Sequence, residues 1–340
     1  MNKRRIFSAM LGCALTLGFM LASCDMGGDK GPTTTVYVAG YYEDSNGVMI
    51  PCYWKDGVRT DLPAVTGNNA EATAIAVLGD SIYVAGYYND GSNDRACYWK
   101  DDIIKDLPAV TGSRSVATAI AVSGNSIYIA GFYDNGTVIA CYWKDEAKIN
   151  LTDGTDAYLV SGIAVSGNDV YIAGRSGNNA CYWKGKAITN LTDGKSTTGI
   201  AVSNGYVYVA GTNTNNMGCY WKGTAKTDLE FPIGATSSYA TGIAIAGSSV
   251  YISADCNDNN AVTAYYWKDG TRKNLPIPDS GVDSVTTGIA VAGGSVYVSG
   301  IYTDNGGNYT ACYWKDGERT DLLSSANYNI NASAIAVVVE

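Results

Sequence analysis

Histidine is missing from this 340-residue sequence, and phenylalanine and proline are scarce, with 4 and 7 residues. Without an imidazole the chain cannot form a Ser-His-Asp triad, a Cys-His pair, or a histidine-ligated zinc or haem site. Basic residues are also in deficit, because 23 of them stand against 32 acidic residues and the net charge is −9. An acidic surface argues against nucleic acid or an anionic membrane surface as the partner.

Glycine and tyrosine are the residues in excess, with 40 and 26 copies. Hydrophobic residues make up 46% of the chain and charged residues 16%, which fits a globular protein with a large core. Many glycines and tyrosines together are typical of short strands joined by tight turns. No sustained 3.6-residue period appears, so we expect almost no helix.

The first 24 residues have the pattern of an export signal. Lys3, Arg4 and Arg5 form a positive start, and a glycine-interrupted apolar run follows from Ile6 to Ala22. The run ends in Leu21-Ala22-Ser23-Cys24, which resembles the lipobox of bacterial lipoproteins. That resemblance implies a signal peptide at 1–23, a lipid on the Cys24 thiol, and a flexible tether at 24–35. A plain secretory leader or an uncleaved anchor is the alternative.

This leader predicts where the protein works. We expect a cell-envelope protein held to a bacterial membrane through the lipid anchor only, facing the periplasm or the cell surface. Loss of the three basic leader residues leaves 20 basic against 32 acidic residues, a net charge of −12. Asp25 directly follows the lipidated cysteine. An aspartate there retains lipoproteins at the inner membrane in some bacteria and not in others, so the sequence does not decide which membrane holds the protein.

Internal repetition dominates the rest of the chain. A typical unit reads T-[AG]-I-A-V, then [IV]-Y-[VI]-A-G, then A-C-Y-W-K-D-G, then T-D-L, so four short strands with hairpin turns are predicted. A four-stranded unit of about 40–50 residues is typical of a propeller blade. We therefore predict an all-β, seven-bladed β-propeller of four-stranded antiparallel blades at 36–340. One tryptophan marks each unit, at Trp54, Trp99, Trp143, Trp183, Trp221, Trp267 and Trp314.

The two chain ends favour a closed ring. The T-A-I-A-V phrase appears at Thr73–Val77, but no copy precedes the first strand at Val36–Tyr42. The missing copy is the last strand of the chain, Ser333–Val337. We expect this C-terminal strand to pair with the N-terminal strands in one blade, which leaves no terminal blade unpaired. A linear solenoid would instead need polar caps at both ends.

The third and fourth strands of each unit resemble the HAF-type extracellular repeat of bacteria, A-F-L-W-x-x-G-x-x-x-D-L-G. The resemblance rests on Ala96-Cys97-Tyr98-Trp99-Lys100 with Asp106-Leu107, and it recurs in all seven units. It departs where histidine is absent and where Cys-Tyr replaces Phe-Leu. The resemblance implies an exported β protein and carries no agreed chemistry.

Most of the nine cysteines fall at one repeat position. Equivalent positions in neighbouring blades lie about 10 Å apart, which is too far for a disulfide. We interpret these six as small buried hydrophobic residues, with paired bridges as the alternative. The six are Cys52, Cys97, Cys141, Cys181, Cys219 and Cys312, whereas Cys256 stands alone.

Residues repeated in every blade are expected to be architectural, so the differences between blades point to function. The segments between strands b and c, and between strand d and the next strand a, vary most, and variable loops on a rigid scaffold carry binding sites. Strand b ends in a pair whose second residue is tyrosine in blades 1, 2, 3 and 7, namely Tyr41-Tyr42, Tyr87-Tyr88, Phe132-Tyr133 and Ile301-Tyr302. In blades 4 to 6 the pair is Arg175-Ser176, Thr212-Asn213 and Asp255-Cys256. We predict an aromatic and acidic ligand-binding arc of Tyr42, Tyr88, Tyr133 and Tyr302 with Asp44, Asp90, Asp94, Asp134 and Asp304.

Three functions remain open from the sequence. The first is a non-enzymatic binding module for carbohydrate, peptide or protein, since phenol rings beside carboxylates suit both ligands. The second is a glycan-active hydrolase or lyase, which needs a carboxylate pair or an arginine-lined pocket, and Arg95, Arg114 and Arg175 are the candidates for the latter. The third is a structural envelope protein or surface antigen. In each case we expect the protein to be a monomer and nucleic acid not to be a partner.

No cofactor is expected, and calcium is the one metal that we considered. The segments Asn89–Asp94 and Asp255–Asp258 are rich in oxygen ligands. Neither has the glutamate that completes an EF-hand loop, and such residues are also common in turns.

Overall fold

The computed structural model describes residues 33–154, 158–257, 261–322 and 329–340, and within them 28 strands form seven four-stranded antiparallel sheets. Each sheet is one blade of a β-propeller, with strands a to d in sheet order, and the blades are numbered along the chain. The predicted signal peptide at 1–23 and the predicted lipidation site Cys24 lie outside the described residues. Within the described ranges, no helix has the length and apolar character needed to cross a membrane.

The strands occupy equivalent places in every blade. Strand a of blades 1 to 7 is β28 (Ile330–Val339), β4 (Ala70–Leu78), β8 (Arg114–Ser123), β12 (Tyr158–Ser166), β16 (Gly194–Ser203), β20 (Ser237–Ala246) and β24 (Gly281–Ala292). Strand b is β1 (Thr34–Glu43), β5 (Ser81–Asn89), β9 (Ser126–Asp134), β13 (Asp169–Ser176), β17 (Tyr206–Asn213), β21 (Ser249–Asn257) and β25 (Ser295–Asp304).

Strands c and d follow the same order. Strand c is β2 (Met49–Lys55), β6 (Asp94–Lys100), β10 (Val138–Lys144), β14 (Asn179–Lys184), β18 (Gly218–Lys222), β22 (Val262–Lys268) and β26 (Tyr309–Lys315). Strand d is β3 (Val58–Asp61), β7 (Ile103–Asp106), β11 (Ala147–Asn150), β15 (Ala187–Asn190), β19 (Ala225–Asp228), β23 (Thr271–Asn274) and β27 (Glu318–Leu322).

The sequence of each strand matches its place in the blade. Strand a is apolar along most of its length, and it contacts the strands a of both neighbouring blades in an unbroken inner ring. In blade 2, for example, Ala74 and Ile75 are fully buried. Strand d carries charged residues and is largely exposed. Burial therefore decreases within each blade from strand a at the centre of the ring to strand d at its edge, because strand a is covered on both faces and strand d is not.

The C-terminal strand closes the ring as predicted. Strand β28 pairs antiparallel with β1, with Val36 opposite Val337 and Val38 opposite Ile335, and the blade order is β28-β1-β2-β3. The seven-bladed fold and its closure are both confirmed. The C-terminal strand thus completes the sheet of blade 1, and it also packs against β4 of blade 2 and β24 of blade 7.

The tryptophans of strand c pack between blades. All seven are at most 1% exposed, and they belong to seven hydrophobic clusters that each join two adjacent blades. The indole nitrogens of four donate to carbonyl oxygens of the preceding d–a connection at 2.7–2.9 Å: Trp99 to Pro63, Trp143 to Pro108, Trp221 to Thr192 and Trp314 to Pro276. All seven indoles thus stabilise the contact between neighbouring blades through apolar area, and these four add one directed bond. The indole nitrogens of Trp54 and Trp267 are buried without a partner among the described residues.

The cysteines behave as the repeat position predicted. Cys52, Cys97, Cys141, Cys181, Cys219 and Cys312 form no disulfide and are fully buried, and Cys256 is also buried and in no disulfide. Burial raises the pKa of the Cys52, Cys97 and Cys312 thiols well above the ordinary value, so they remain protonated and unreactive.

Aspartate and glycine shape the c–d turns. Asp56 and Gly57 have φ angles of +48° and +81°, the left-handed pair that a type I′ hairpin turn requires. The Asp56 carboxylate also accepts a hydrogen bond from the amide of Val36 at 2.8 Å, so the turn is tied to the start of strand b. The D-G phrase therefore shapes the c–d turn of blade 1 and holds it to strand b.

Candidate functional site

A cavity of about 340 Å³ lies on one side of the ring, at the end of the blades where the b–c and d–a connections emerge. Its walls come from the first half of strand a in blades 4 to 7 and from the last residues of strand b in blades 4 to 6. This is the end of the propeller that loop variation identified. A volume near 300 Å³ is at the lower end of the range for small-molecule sites.

The cavity exists because one position of strand b changes along the ring. This rim position follows the A-G phrase and is occupied by Tyr41, Tyr87, Phe132, Arg175, Thr212, Asp255 and Ile301 in blades 1 to 7. In blades 1 to 3 the aromatic side chain lies against strand a of its own blade. The Tyr41 hydroxyl, for example, accepts a hydrogen bond from Asn331 at 3.2 Å, and the Arg114 guanidinium lies 5.4 Å from the Phe132 ring. Smaller or polar side chains at this position in blades 4 to 6 leave the space open.

Hydroxyl groups dominate the cavity wall. Each strand a has a β-bulge at a serine or threonine, which is the first residue of the T-[AG]-I-A-V phrase. In blade 2 the hydroxyl of this residue, Thr73, donates to the carbonyls of Ala85 and Ala117 at 3.1 and 2.9 Å and so joins two blades. In the cavity the corresponding residues are Ser161, Thr198, Thr241 and Thr287. The extra residue that the bulge adds to strand a therefore supplies a hydroxyl in every blade.

Asp255 is the buried acid of the cavity. Its Oδ1 atom accepts hydrogen bonds from the amide and the hydroxyl of Thr286 at 2.7 and 2.9 Å, and the Thr286 and Thr241 hydroxyl oxygens are 2.5 Å apart. Asp255 is only 3% exposed, and this burial raises its pKa from 3.8 to about 8 despite the two bonds from Thr286. The carboxyl group is therefore neutral at pH 7.

Three polar atoms in the cavity wall have no partner. The Oγ1 atoms of Thr198 and Thr212 and the Nε atom of Arg175 are buried, and none of them has a hydrogen bond in the part of the chain that the structure describes. Thr212 as a whole is 1% exposed. An unpaired buried polar group costs about 1–3 kcal/mol, so these atoms are suited to bonds with a ligand.

The structure places the four predicted tyrosines away from this cavity. Their hydroxyls face strand d of their own blade. Tyr42, Tyr88 and Tyr302 donate to Asp61, Asp106 and Asp321 at 3.0–3.2 Å, and Tyr133 accepts from Asn150 at 3.2 Å. Strand-d cations lie over three of the rings, with Arg59, Lys148 and Arg319 at 4.1, 3.9 and 4.9 Å from Tyr42, Tyr133 and Tyr302. Burial together with the Asp106 carboxylate raises the pKa of Tyr88 to about 12.

In blade 6 a tyrosine ring also lies beside strand d, but it comes from strand c instead of strand b. Here strand b has Cys256 where blades 1, 2, 3 and 7 have tyrosine, and strand c has Tyr265 where the other six blades have cysteine. Both residues belong to one buried cluster, and the Arg272 guanidinium lies 5.1 Å from the Tyr265 ring, as Arg59 does over Tyr42. A tyrosine and a cysteine have thus exchanged strands while the ring and its cation remain. This exchange favours a packing role for the tyrosines.

Four of the five predicted acids stabilise their own b–c loops, and the fifth, Asp94, joins blade 2 to blade 3. The Asp44, Asp134 and Asp304 carboxylates accept bonds from loop amides two to four residues ahead. Asp90 accepts from the amides of Ser92 and Asn93 and pairs with Arg95, and the pKa of Asp90 falls to about 2 because of these bonds. Asp94 pairs with Arg114 at 2.8 Å. Whether a ligand also contacts these acids stays a prediction.

The calcium candidates have the same local roles. The oxygens of Asp90 and Asp94 are engaged with amides and arginines, and Asp258 lies outside the described residues. Among the residues that the structure describes, no group of three or more acidic or cysteine side chains is arranged to hold a metal ion.

Sequence reasoning noticed the blade 4 to 6 differences but assigned the site to the other blades. Arg175 is predicted there only as part of an arginine-lined pocket and Asp255 only as part of a calcium candidate, Thr212 appears only as a departure from the tyrosine pair, and Thr198 is not singled out. A usable signal exists, because the rim position changes from aromatic to small or polar in successive blades. What the pattern does not reveal is which side of the strand faces an open space.

Comparisons with known proteins support the fold. No protein-family model matches the chain, and no curated protein matches it. Among solved structures, the chain is similar to a puromycin-hydrolysing peptidase of Mycobacterium tuberculosis, with a TM-score of 0.59 and 13% identity over 86% of this chain and 51% of that one. The chain therefore spans about half the length of this peptidase.

Two further structures are matched over nearly their whole length. A protein from Lactobacillus plantarum has a TM-score of 0.52 and 13% identity, over 89% of this chain and 99% of that one. The β-propeller domain of the Trilobed protease from Pyrococcus furiosus has a TM-score of 0.51 and 13% identity, over 85% and 94%. At this identity the likeness shows a propeller fold and nothing about the site.

Proposed function

We propose that this protein is a lipid-anchored, extracytoplasmic binding module whose propeller holds a saccharide in the cavity of blades 4 to 7. The observation that carries the proposal is the set of unpartnered polar atoms of Arg175, Thr198 and Thr212 in the cavity wall. Sugar hydroxyls both donate and accept hydrogen bonds, so they match a wall of threonine and serine hydroxyls. Leu159 and Val285 offer apolar contact to the C–H face of a sugar ring.

A peptide is the other ligand class that the sequence favoured. The cavity is compact, and backbone recognition of a peptide uses a free strand edge or an extended groove. A wall of hydroxyls with a volume of about 340 Å³ suits one or two sugar residues better than an extended chain. We therefore place the saccharide first.

Replacement of the unpartnered threonines by valine tests the proposal. Thr212→Val and Thr198→Val keep the shape of the side chain but remove the hydroxyl, so saccharide binding should weaken while stability stays equal or rises. Thr118→Val is the matched control, because its hydroxyl donates to the Ala130 carbonyl at 3.2 Å in blade 3, outside the cavity. It should cost about 1 kcal/mol of stability and leave binding unchanged.

The measurement is a saccharide and peptide array followed by titration calorimetry on the full-length chain in detergent. Unchanged binding in Thr212→Val and Thr198→Val would contradict the cavity as the site. Loss of binding only in Tyr42→Ala with Tyr88→Ala would assign the site to the aromatic arc instead. A protein that binds neither class would favour the structural envelope role.

A glycan-active hydrolase is the second candidate, and the state of Asp255 favours it. A carboxyl group that keeps its proton at pH 7 suits a general acid. Hydrolysis with two carboxylates needs a second one about 5–9 Å away, and Asp255 is the one carboxylate among the described residues of the wall. Release of product from a bound glycan, abolished in Asp255→Asn, would establish this function over simple binding.

A further inference from the structure

Arg175 differs from the other arginines that the structure describes. Four of those others pair with aspartates at 2.6–2.8 Å: Arg59 with Asp61, Arg95 with Asp90, Arg114 with Asp94 and Arg319 with Asp321. Arg272 lies over the Tyr265 ring. Arg175 has no such ion pair within the described residues, and its Nε atom is buried without a partner in the cavity wall.

The cavity does not supply a counter-charge for Arg175. Asp255 is the one carboxylate among the described wall residues, and its Oδ1 atom is already bound by the amide and hydroxyl of Thr286. Its burial keeps this carboxyl group neutral at pH 7, because its pKa is about 8. Among the described residues of the cavity wall, the positive charge of Arg175 is therefore the one charge present at pH 7. A partly buried guanidinium without a partner is unfavourable, and an anion is its natural ligand.

We propose that the cavity binds an acidic saccharide and that the guanidinium of Arg175 pairs with the anionic group of the sugar. This inference rests on the proposed function, since it names the class of saccharide for the same cavity. A carboxylate or sulfate ester receives two parallel N–H···O bonds from a guanidinium, which fixes the orientation of the sugar. The hydroxyls of Thr198 and Thr212 then face the uncharged part of the ring.

Matched acidic and neutral sugars test this assignment. The probes are glucuronate with glucose, galacturonate with galactose, and glucose 6-sulfate, titrated into the full-length chain in detergent. An acidic sugar should bind about tenfold to a hundredfold more tightly than its neutral partner, the range for a hydrogen-bonded charged group. Comparison of the uronates with the sulfate tells a carboxylate from a sulfate ester as the natural group.

Two substitutions at Arg175 make the test specific. Arg175→Gln should bring the ratio of acidic-sugar to neutral-sugar affinity down to about one, and Arg175→Lys should retain part of the preference, because lysine keeps the charge but not the planar fork. Arg272→Gln is the control, since it changes net charge equally on an exposed strand outside the cavity. Thermal unfolding confirms that each variant is folded.

The possible failures are distinguishable. Equal affinity for acidic and neutral sugars, or a preference that persists in Arg175→Gln, would overturn the inference while the saccharide-binding function stands. Absence of binding to any of these sugars and to the saccharide array would overturn the proposed function itself.

Discussion

At the scale of single residues, the seven lysines at the ends of the strands c show that a residue repeated in every blade has a structural role. Each lysine ammonium lies 5.3–5.7 Å from the centre of a strand-b tyrosine ring in its own blade, from Lys55 over Tyr37 to Lys315 over Tyr297. Cation–π attraction holds each lysine ammonium over its tyrosine ring near the c–d turn. A lysine that recurs in every blade is therefore part of the architecture, as the repetition of the phrase indicated.

Asp255 carries the clearest pH-dependent effect of any single residue. Its pKa is about 8 in the folded chain and close to 3.8 when unfolded, so the folded state binds more protons between these values. Stability should therefore fall as pH rises from about 4 to 8, by at most about 1.4 kcal/mol per pH unit from this group. Asp255→Asn should be more stable than the parent at pH 8.5, with the advantage shrinking toward pH 4.5.

Urea unfolding of both proteins at the two pH values measures this difference. The comparison cancels the other titrating groups, which are common to both chains. A difference in unfolding free energy that is the same at pH 4.5 and pH 8.5 would show that Asp255 does not have a raised pKa in solution.

At the scale of secondary-structure elements, strand β28 decides whether the ring is closed. Ile335 in β28 and Ile75 in β4 occupy the same position of the repeated phrase, and both are fully buried. If β28 is as firmly held as an internal strand, Ile335→Ala and Ile75→Ala should each lower the unfolding free energy by about 2–5 kcal/mol.

Chemical denaturation of the two variants provides the comparison. Val339→Ala, at a site that is 38% exposed near the end of the same strand, is the control and should cost well under 1 kcal/mol. A much smaller loss for Ile335→Ala than for Ile75→Ala would mean that the C-terminal strand detaches readily and that the ring is open in solution.

Strand b shows how far an element can be predicted. The alternation and the A-G phrase defined this strand in all seven blades, and its end was recognised as the variable part. Glycine in the phrase has a steric reason, because a Cβ on Gly86 would come within 2.0 Å of the Glu71 carbonyl oxygen. The direction of the next side chain depends on the bulge in strand a, which the sequence pattern does not display. The aromatic pairs were therefore easier to notice than the space left by Thr212 and Asp255.

At the scale of the whole molecule, the leader predicts attachment to a membrane. Two or three acyl chains on Cys24 would give durable anchoring, whereas a single chain is marginal. Cys24→Ser should therefore move the protein from the membrane fraction to the soluble fraction in a bacterial host, with the propeller intact.

Fractionation and mass spectrometry of the N-terminal peptide check this prediction. The parent peptide should begin at Cys24 and carry the mass of its acyl chains. Cys13→Ser, inside the apolar run of the leader, is the matched control and should leave the protein in the membrane fraction. Retention of Cys24→Ser at the membrane would instead indicate an uncleaved anchor.

The sequence alone determined the number of blades, the four strands in each, the closure by Ser333–Val337 and the burial of the repeated cysteines and tryptophans. These features depend on local alternation, turn chemistry and repetition, all of which are written along the chain. Only the tertiary structure decided which side of the ring is open. The cavity arises where the ends of Arg175, Thr212 and Asp255 meet strands of other blades, and such contacts join residues about 30 to 45 positions apart. Their spacing follows from the curvature of the ring and the strand-a bulges, which no single repeat encodes.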